Sequence, residues 1–134
     1  MIAIIYKINT GEILRTINMP DDFIPYQVGE GEAFLETQVT INDGIHYVDN
    51  DVVLEKVIQP ILLNKTTINA DGIDKLIFSN VPLGSIKIDN LQTKETISGT
   101  IEGTDTFSTT ISGTYKIKII SFPYLDFETT IEAT

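Results

Sequence analysis

From residue 66 to residue 132 the chain is cut by Gly, Pro, Asn or Asp about every eight to twelve residues. The segments between the cuts are short and alternate apolar with polar positions, and none has the length or the 3.6-residue period of a core helix. They read TTIN, DKLIF, SIKI, ETISG, FSTTIS, YKIKI and FETTIE. Their Ile and Thr are stiff at χ1 and suit a pleated surface, so the spacing predicts seven short strands.

In YKIKI, Tyr115, Ile117 and Ile119 share one face and Lys116 and Lys118 the other. Phe127, Thr129 and Ile131 stand in the same way against Glu128, Thr130 and Glu132. Both patterns fit an antiparallel sheet covered on one side, with Lys116 and Lys118 placed to pair across the ladder. Asp71-Gly72 and Pro82-Leu83-Gly84 read as turns, and Asp89-Asn90 as the end of the third strand. T-I-S-G at 96–99 and again at 110–113 reads as two strand-to-turn transitions. Seven strands in about 70 residues match an immunoglobulin-like β-sandwich, without the Cys and Trp that mark antibody domains.

The front of the chain is also β-patterned. MIAIIYKI reads as a buried strand, Asn9-Thr10-Gly11 as a turn, and Ile13, Leu14 and Ile17 as the returning strand of a hairpin. Met19, Pro20, Asp21 and Asp22 end it, and DDFIPYQ has room for one short helical turn, since Pro25 forbids more. After a bend at Gly29–Glu32, AFLETQVTI sets Ala33, Leu35 and Thr37 against Phe34, Glu36 and Gln38. IHYV and VVLE flank Asp49, Asn50 and Asp51, which tolerate the left-handed conformations of a tight hairpin. VIQPILLN breaks the alternation, so the chain divides into an N-terminal β module at 1–58 and the immunoglobulin-like sandwich at 59–134. Residues 1–58 carry ten acidic and three basic side chains (net −7), and residues 59–134 carry nine and six (net −3).

These charges sum to −10. Such a balance opposes both counterion release on nucleic acid and docking on anionic lipid, so neither is expected as a partner. With no cysteine, the chain has no disulfide and no thiolate metal site. Lys7 interrupts the apolar start, which is too short to span a bilayer and lacks the flanks of a cleaved leader; none is expected.

Residues that could carry chemistry each have a plainer reading. His46 is the only histidine, and a zinc site needs three or four ligands, so a half-exposed strand position is expected. Asp49-Asn50-Asp51 lacks the Gly and Glu spacing of an EF-hand and reads as a solvated turn. Asp21 with Asp22, or Glu30 with Glu32, could pair as glycosidase carboxylates, but such pairs arise by chance in any acidic chain. Gly29-x-Gly31 carries two Glu that would repel phosphate. No catalytic, cofactor or metal residue is assigned. The aromatics are the remaining candidates: Phe23 and Tyr26 in front, and Phe122, Pro123, Tyr124 and Leu125 at a hairpin tip whose apolar side chains are costly to leave in water.

The order of these segments resembles one group of proteins. GEILRTINMP, YQVGEGEAFLE and HYVDNDVVLEK resemble the N-terminal region of small phage and prophage proteins from the tail-fibre gene neighbourhood. KTTINADGIDKLIFSNVPLGSIKIDN, SGTYKIKI and FPYLDFETTIEA look like the immunoglobulin-like domain that follows in them. The similarity covers nearly the whole chain and departs from the commoner pattern in its many Ile, Lys and Asn residues and in Phe122, where a Trp is expected. It implies a non-enzymatic virion component, an accessory or connector of the tail or collar that helps attach fibres. Its implied partners are other virion proteins and further copies of itself. A host-surface carbohydrate-binding module, with aromatic rings gripping a glycan, is the competing expectation. A carboxylate hydrolase is a third.

Overall fold

A strand whose residues are apolar on both faces needs cover on both sides of its sheet, and the first strand is of that kind. The computed structural model of the chain describes residues 1–38 and 41–134. Strand β1 (Ile2–Lys7) lies between β2 (Ile13–Asn18) and β3 (Glu32–Thr37), antiparallel to both. Ala3, Ile4, Ile5 and Tyr6 are all buried, so both faces of this strand are covered. Ala33, Leu35 and Thr37 form the covered face of β3, while Phe34 and Glu36 face outward. The expected continuation of that strand through Val39 and Thr40 lies outside the described residues.

A second hairpin joins β4 (His46–Asp49) to β5 (Val52–Glu55). Asn50 and Asp51 make its turn with φ of 49° and 60°, the left-handed pair of a type I′ turn. Val48 packs with Ile4, Tyr6 and Ile13 in the core of this part. Its amide donates to the Gly11 carbonyl at 2.9 Å, and a Cβ on Gly11 would stand 1.8 Å from the Val48 carbonyl oxygen. Only glycine fits there, and its φ of +81° requires it as well.

One sequence expectation needs correction here. Asp21–Gln27 forms a seven-residue 3-10 helix that runs through Pro25 rather than stopping before it. The Phe23 amide donates to Pro20 O and the Val28 amide to Pro25 O. Pro25 thus serves as an acceptor, and its missing N–H costs nothing in such a chain of tight turns.

Met1–Val57 and Ile58–Thr134 form two separate compact units. The second contains β6 (Leu62–Leu63), β7 (Thr67–Ile68), β8 (Leu76–Asn90), β9 (Thr96–Phe107), β10 (Gly113–Ile120) and β11 (Phe127–Ala133). These make one curled, mixed six-stranded sheet, with β8 paired to β9 along its length. On its other side β8 meets β6 near its start and β10 near its end, and β7 joins β11 in parallel. The fold is therefore mostly β, a three-stranded sheet followed by a half-barrel-like curled sheet.

The boundaries of the second unit differ from the sequence reading in three places. DKLIF and SIKI belong to one strand, because Pro82-Leu83-Gly84 lies within β8 instead of making a turn. The β8–β9 register shifts between Phe78 and Val81 and again between Val81 and Gly84, so Pro82 sits in an irregularity where no ladder donor is required. ETISG continues through Phe107 as β9, which places the first T-I-S-G inside a strand. FSTTIS is a loop beyond Phe107, held by Thr109 Oγ1, which accepts the Ile111 amide at 3.1 Å and bonds the Tyr115 hydroxyl at 2.9 Å.

The β10–β11 ladder follows the alternation, with Tyr115 opposite Ile131, Ile117 opposite Thr129 and Lys118 opposite Glu128. Tyr115, Ile117, Ile119 and Ile131 are buried with Leu76, Phe78 and Ile101 in the core. Each large apolar side chain buried this way contributes about 1.5–3 kcal/mol.

Candidate docking surfaces

In a 3-10 helix, side chains three residues apart lie over one another. Phe23 and Tyr26 have that spacing, and they are 58% and 83% exposed while Ile24 between them is fully buried. The helix therefore anchors by one aliphatic residue and presents two aromatic rings to solvent. Such rings are large, stiff contact elements. Behind the helix, Arg15 Nη2 donates to Gln27 O at 2.5 Å and to Glu32 Oε1 at 2.6 Å. The Arg15 hydrogen bond, with one from the Gly29 amide, holds the Glu32 carboxyl below its ordinary pKa. Arg15 and Glu32 thus brace the end of the helix and the bend at Gly29.

The other predicted cluster lies in the β10–β11 connection. The Phe122–Pro123 peptide bond is cis, and the Tyr124 amide donates to Ser121 O at 2.7 Å, closing a type VI turn. Phe122 is 38% exposed, and Pro123, Tyr124 and Leu125 are half-buried. Two side chains that the sequence reading passed over hold this turn. Ser121 Oγ donates to Leu83 O at 2.7 Å, and Gln59 Nε2 donates to Ile119 O and Leu125 O, each at 2.9 Å. Neither shows a periodic signal, since each acts through long-range contacts to backbone carbonyls.

The outer face of the second sheet is charged. Lys118 Nζ lies 3.6 Å from both Asp126 and Glu128, Lys116 lies 4.0 Å from Glu128, and Lys87 lies 3.8 Å from Asp89. These exposed pairs each contribute at most about 1 kcal/mol. Nearby, Lys65 pairs with Asp74, and the Asp71 carboxylate accepts the amides of Ile73 and Asp74 at 2.8 Å.

His46 opens β4 at a half-exposed position, and its Nδ1–H donates to Asn42 O at 3.0 Å. Asp49, Asn50 and Asp51 make the solvated hairpin turn already described. Among the described residues no three His, Asp or Glu side chains converge to hold a metal ion. An open depression of about 520 Å³ on the first unit is lined by Lys7, Ile8, Leu14 and Glu32. Of its charged groups, Lys7 pairs with Glu12 and Glu32 with Arg15, and Glu30 also lines it. No helix among the described residues is long and apolar enough to cross a membrane.

One further surface belongs to β9. Its residues are exposed on both faces except Ile101 and Phe107, and among the described residues its only strand partner is β8. The sequence reading missed this edge because it ended the strand at Gly99. Comparison with known proteins finds no matching family model, no similar curated protein and no similar solved structure.

Proposed function

We propose that this chain is a non-enzymatic phage virion protein, an accessory or connector of the tail or collar that helps attach tail fibres. In this reading the second unit serves as an immunoglobulin-like domain, and the first unit anchors on another virion protein. The sequence resemblance motivates the assignment, and the exposed Phe23–Tyr26 pair on its buried Ile24 anchor is the observation that carries it. Aromatic side chains held on a short, braced element suit a protein-docking surface, where few residues dominate binding.

Electron microscopy of intact particles tests the assignment. Density for this chain joined to a fibre, together with loss of incorporation on Phe23→Ser/Tyr26→Ser in a chain that still folds, is the expected result. Particles lacking the chain would refute it. The exposed Tyr26 ring also favours a second reading, in which the same face stacks on a host glycan. Glycan-array binding by the purified protein, abolished by Tyr26→Ala, would replace the first reading with the second.

A further inference from the structure

We infer that the β9 edge pairs with the β9 edge of a second copy of this chain, antiparallel and about a two-fold axis centred on Gly99. This goes beyond the proposed connector role and stands or falls independently of it. The argument starts from the hairpin. The Asn90 amide donates to Glu95 O at 2.9 Å, and the register then runs Asp89 to Thr96, Ile88 to Ile97, Lys87 to Ser98 and Ile86 to Gly99. Backbone groups in an antiparallel ladder alternate between the two sides, so Ile97, Gly99 and Ile101 bond to β8. The N–H and C=O groups of Thr96, Ser98 and Thr100 point to the open side.

Exposed edges are ordinarily protected by Lys, Pro or an inward charge. The run Thr96–Ile101, TISGTI, has none of these, in a chain of net charge −10. Its β8–β9 register is unbroken from Thr96 to Ile101 and shifts only beyond. The net charge opposes self-association in general, and this uncharged stretch adds no like charge to the contact. The open-side residues select the pairing: Ser98 faces Thr100 of the second copy, and Thr96 faces Glu102 of the second copy. On the other face Ile97, 59% exposed, comes opposite the backbone of Ile101 of the second copy, whose side chain is buried in its own core, and Gly99 meets its own equivalent. No like charges stand opposite one another. Shifting the axis to Ser98 would set Glu95 against Ile101, and shifting it to Thr100 would lose the Ile97–Ile101 register. The polar and apolar pattern is thus self-complementary in one register, as a symmetric dimer requires.

The test is the mass of the full chain by light scattering at increasing concentration. The expected result is twice the 14.9 kDa chain mass. Ser98→Pro removes only an open-side N–H, which an edge strand tolerates, and is expected to return the chain to monomer with unchanged circular dichroism. Ser98→Glu/Thr100→Glu sets two carboxylates opposite one another across the axis, while within each chain the carboxylate introduced at position 98 lies opposite Lys87. This double variant is expected to be monomeric alone and to form a heterodimer when mixed with Ser98→Lys/Thr100→Lys. A wild-type chain that stays monomeric to its solubility limit would falsify the pairing. A dimer that survives the paired Glu substitutions would overturn it even if the proline variant failed to fold.

Discussion

The Tyr6 hydroxyl donates a 2.8 Å hydrogen bond to Asp51 Oδ1, tying the central strand of the first unit to the left-handed turn of the β4–β5 hairpin. The hairpin is thereby held to β1 by a side-chain bond as well as by the packing of Val48. That bond, with burial and the negative charge of Asp51, raises the Tyr6 pKa above its ordinary value. A raised pKa in the folded state contributes stability that is complete below the ordinary tyrosine range and is lost as pH rises through the raised value. Tyr6→Phe is expected to destabilise the first unit by about 1 kcal/mol at neutral pH. In urea titrations the gap between wild type and variant should close at strongly alkaline pH, and a gap independent of pH would contradict the coupling.

Asn50 has φ of 49°, a region in which a β-branched residue is strained. Asn50→Val should cost about 1–2 kcal/mol, whereas Asn50→Gly should be close to neutral. Equal denaturation midpoints for the two would show that the turn is not held in the type I′ geometry.

Gln59 is only 4% exposed and satisfies two backbone carbonyls, one in β10 and one in the loop that leads to β11. Gln59→Leu keeps most of the volume but removes the buried donor of both carbonyls, so a loss of about 1 kcal/mol is expected, the removal of the unpartnered Gln59 Oε1 offsetting part of the lost bonding. Hydrogen exchange should accelerate first around 119–126. An unchanged midpoint would mean that these carbonyls find other donors.

Glycines differ sharply in what an added methyl would meet. At Gly84 it would stand 2.4 Å from Ile120 O, while at Gly99 nothing lies within 4 Å. Gly84→Ala should therefore destabilise the second unit by about 1–3 kcal/mol. Gly99→Ala, whose methyl meets nothing within its own chain and lowers the entropy of the unfolded chain, should be neutral or stabilising by up to about 1 kcal/mol in the monomer. Thermal melts of the two variants check the contrast.

Acid should loosen the second unit near residues 65–74. The Lys65 ion pair and the Asn69 amide lower the Asp74 pKa, and the amides of Asp74 and Ile73 lower that of Asp71. A lowered carboxylate pKa contributes stability that is present above the ordinary Asp range and is lost as pH falls through the lowered value. Amide exchange of Asn69, Ile73 and Asp74 is expected to rise over that window, and Asp71→Asn should flatten the response at Ile73 and Asp74.

Sequence by itself determined the β class, the buried first strand, the Asn50-Asp51 turn and the facing sides of β10 and β11. Each is a local property, since two-residue alternation assigns faces and left-handed tolerance assigns turns. Tertiary structure decided what local pattern cannot. Pro82-Leu83-Gly84 has turn composition, yet pairing with β9 and the close approach of Ile120 O keep it within one long strand. Pro25 rules out an α-helix but not consecutive 3-10 turns. Ile24 was not separable from Phe23 and Tyr26 by hydrophobicity, since only the packing around the helix sends one inward and leaves two in water. The open edge of β9 likewise depends on which strands found partners, and pairing between distant segments leaves no mark in the composition of any one of them.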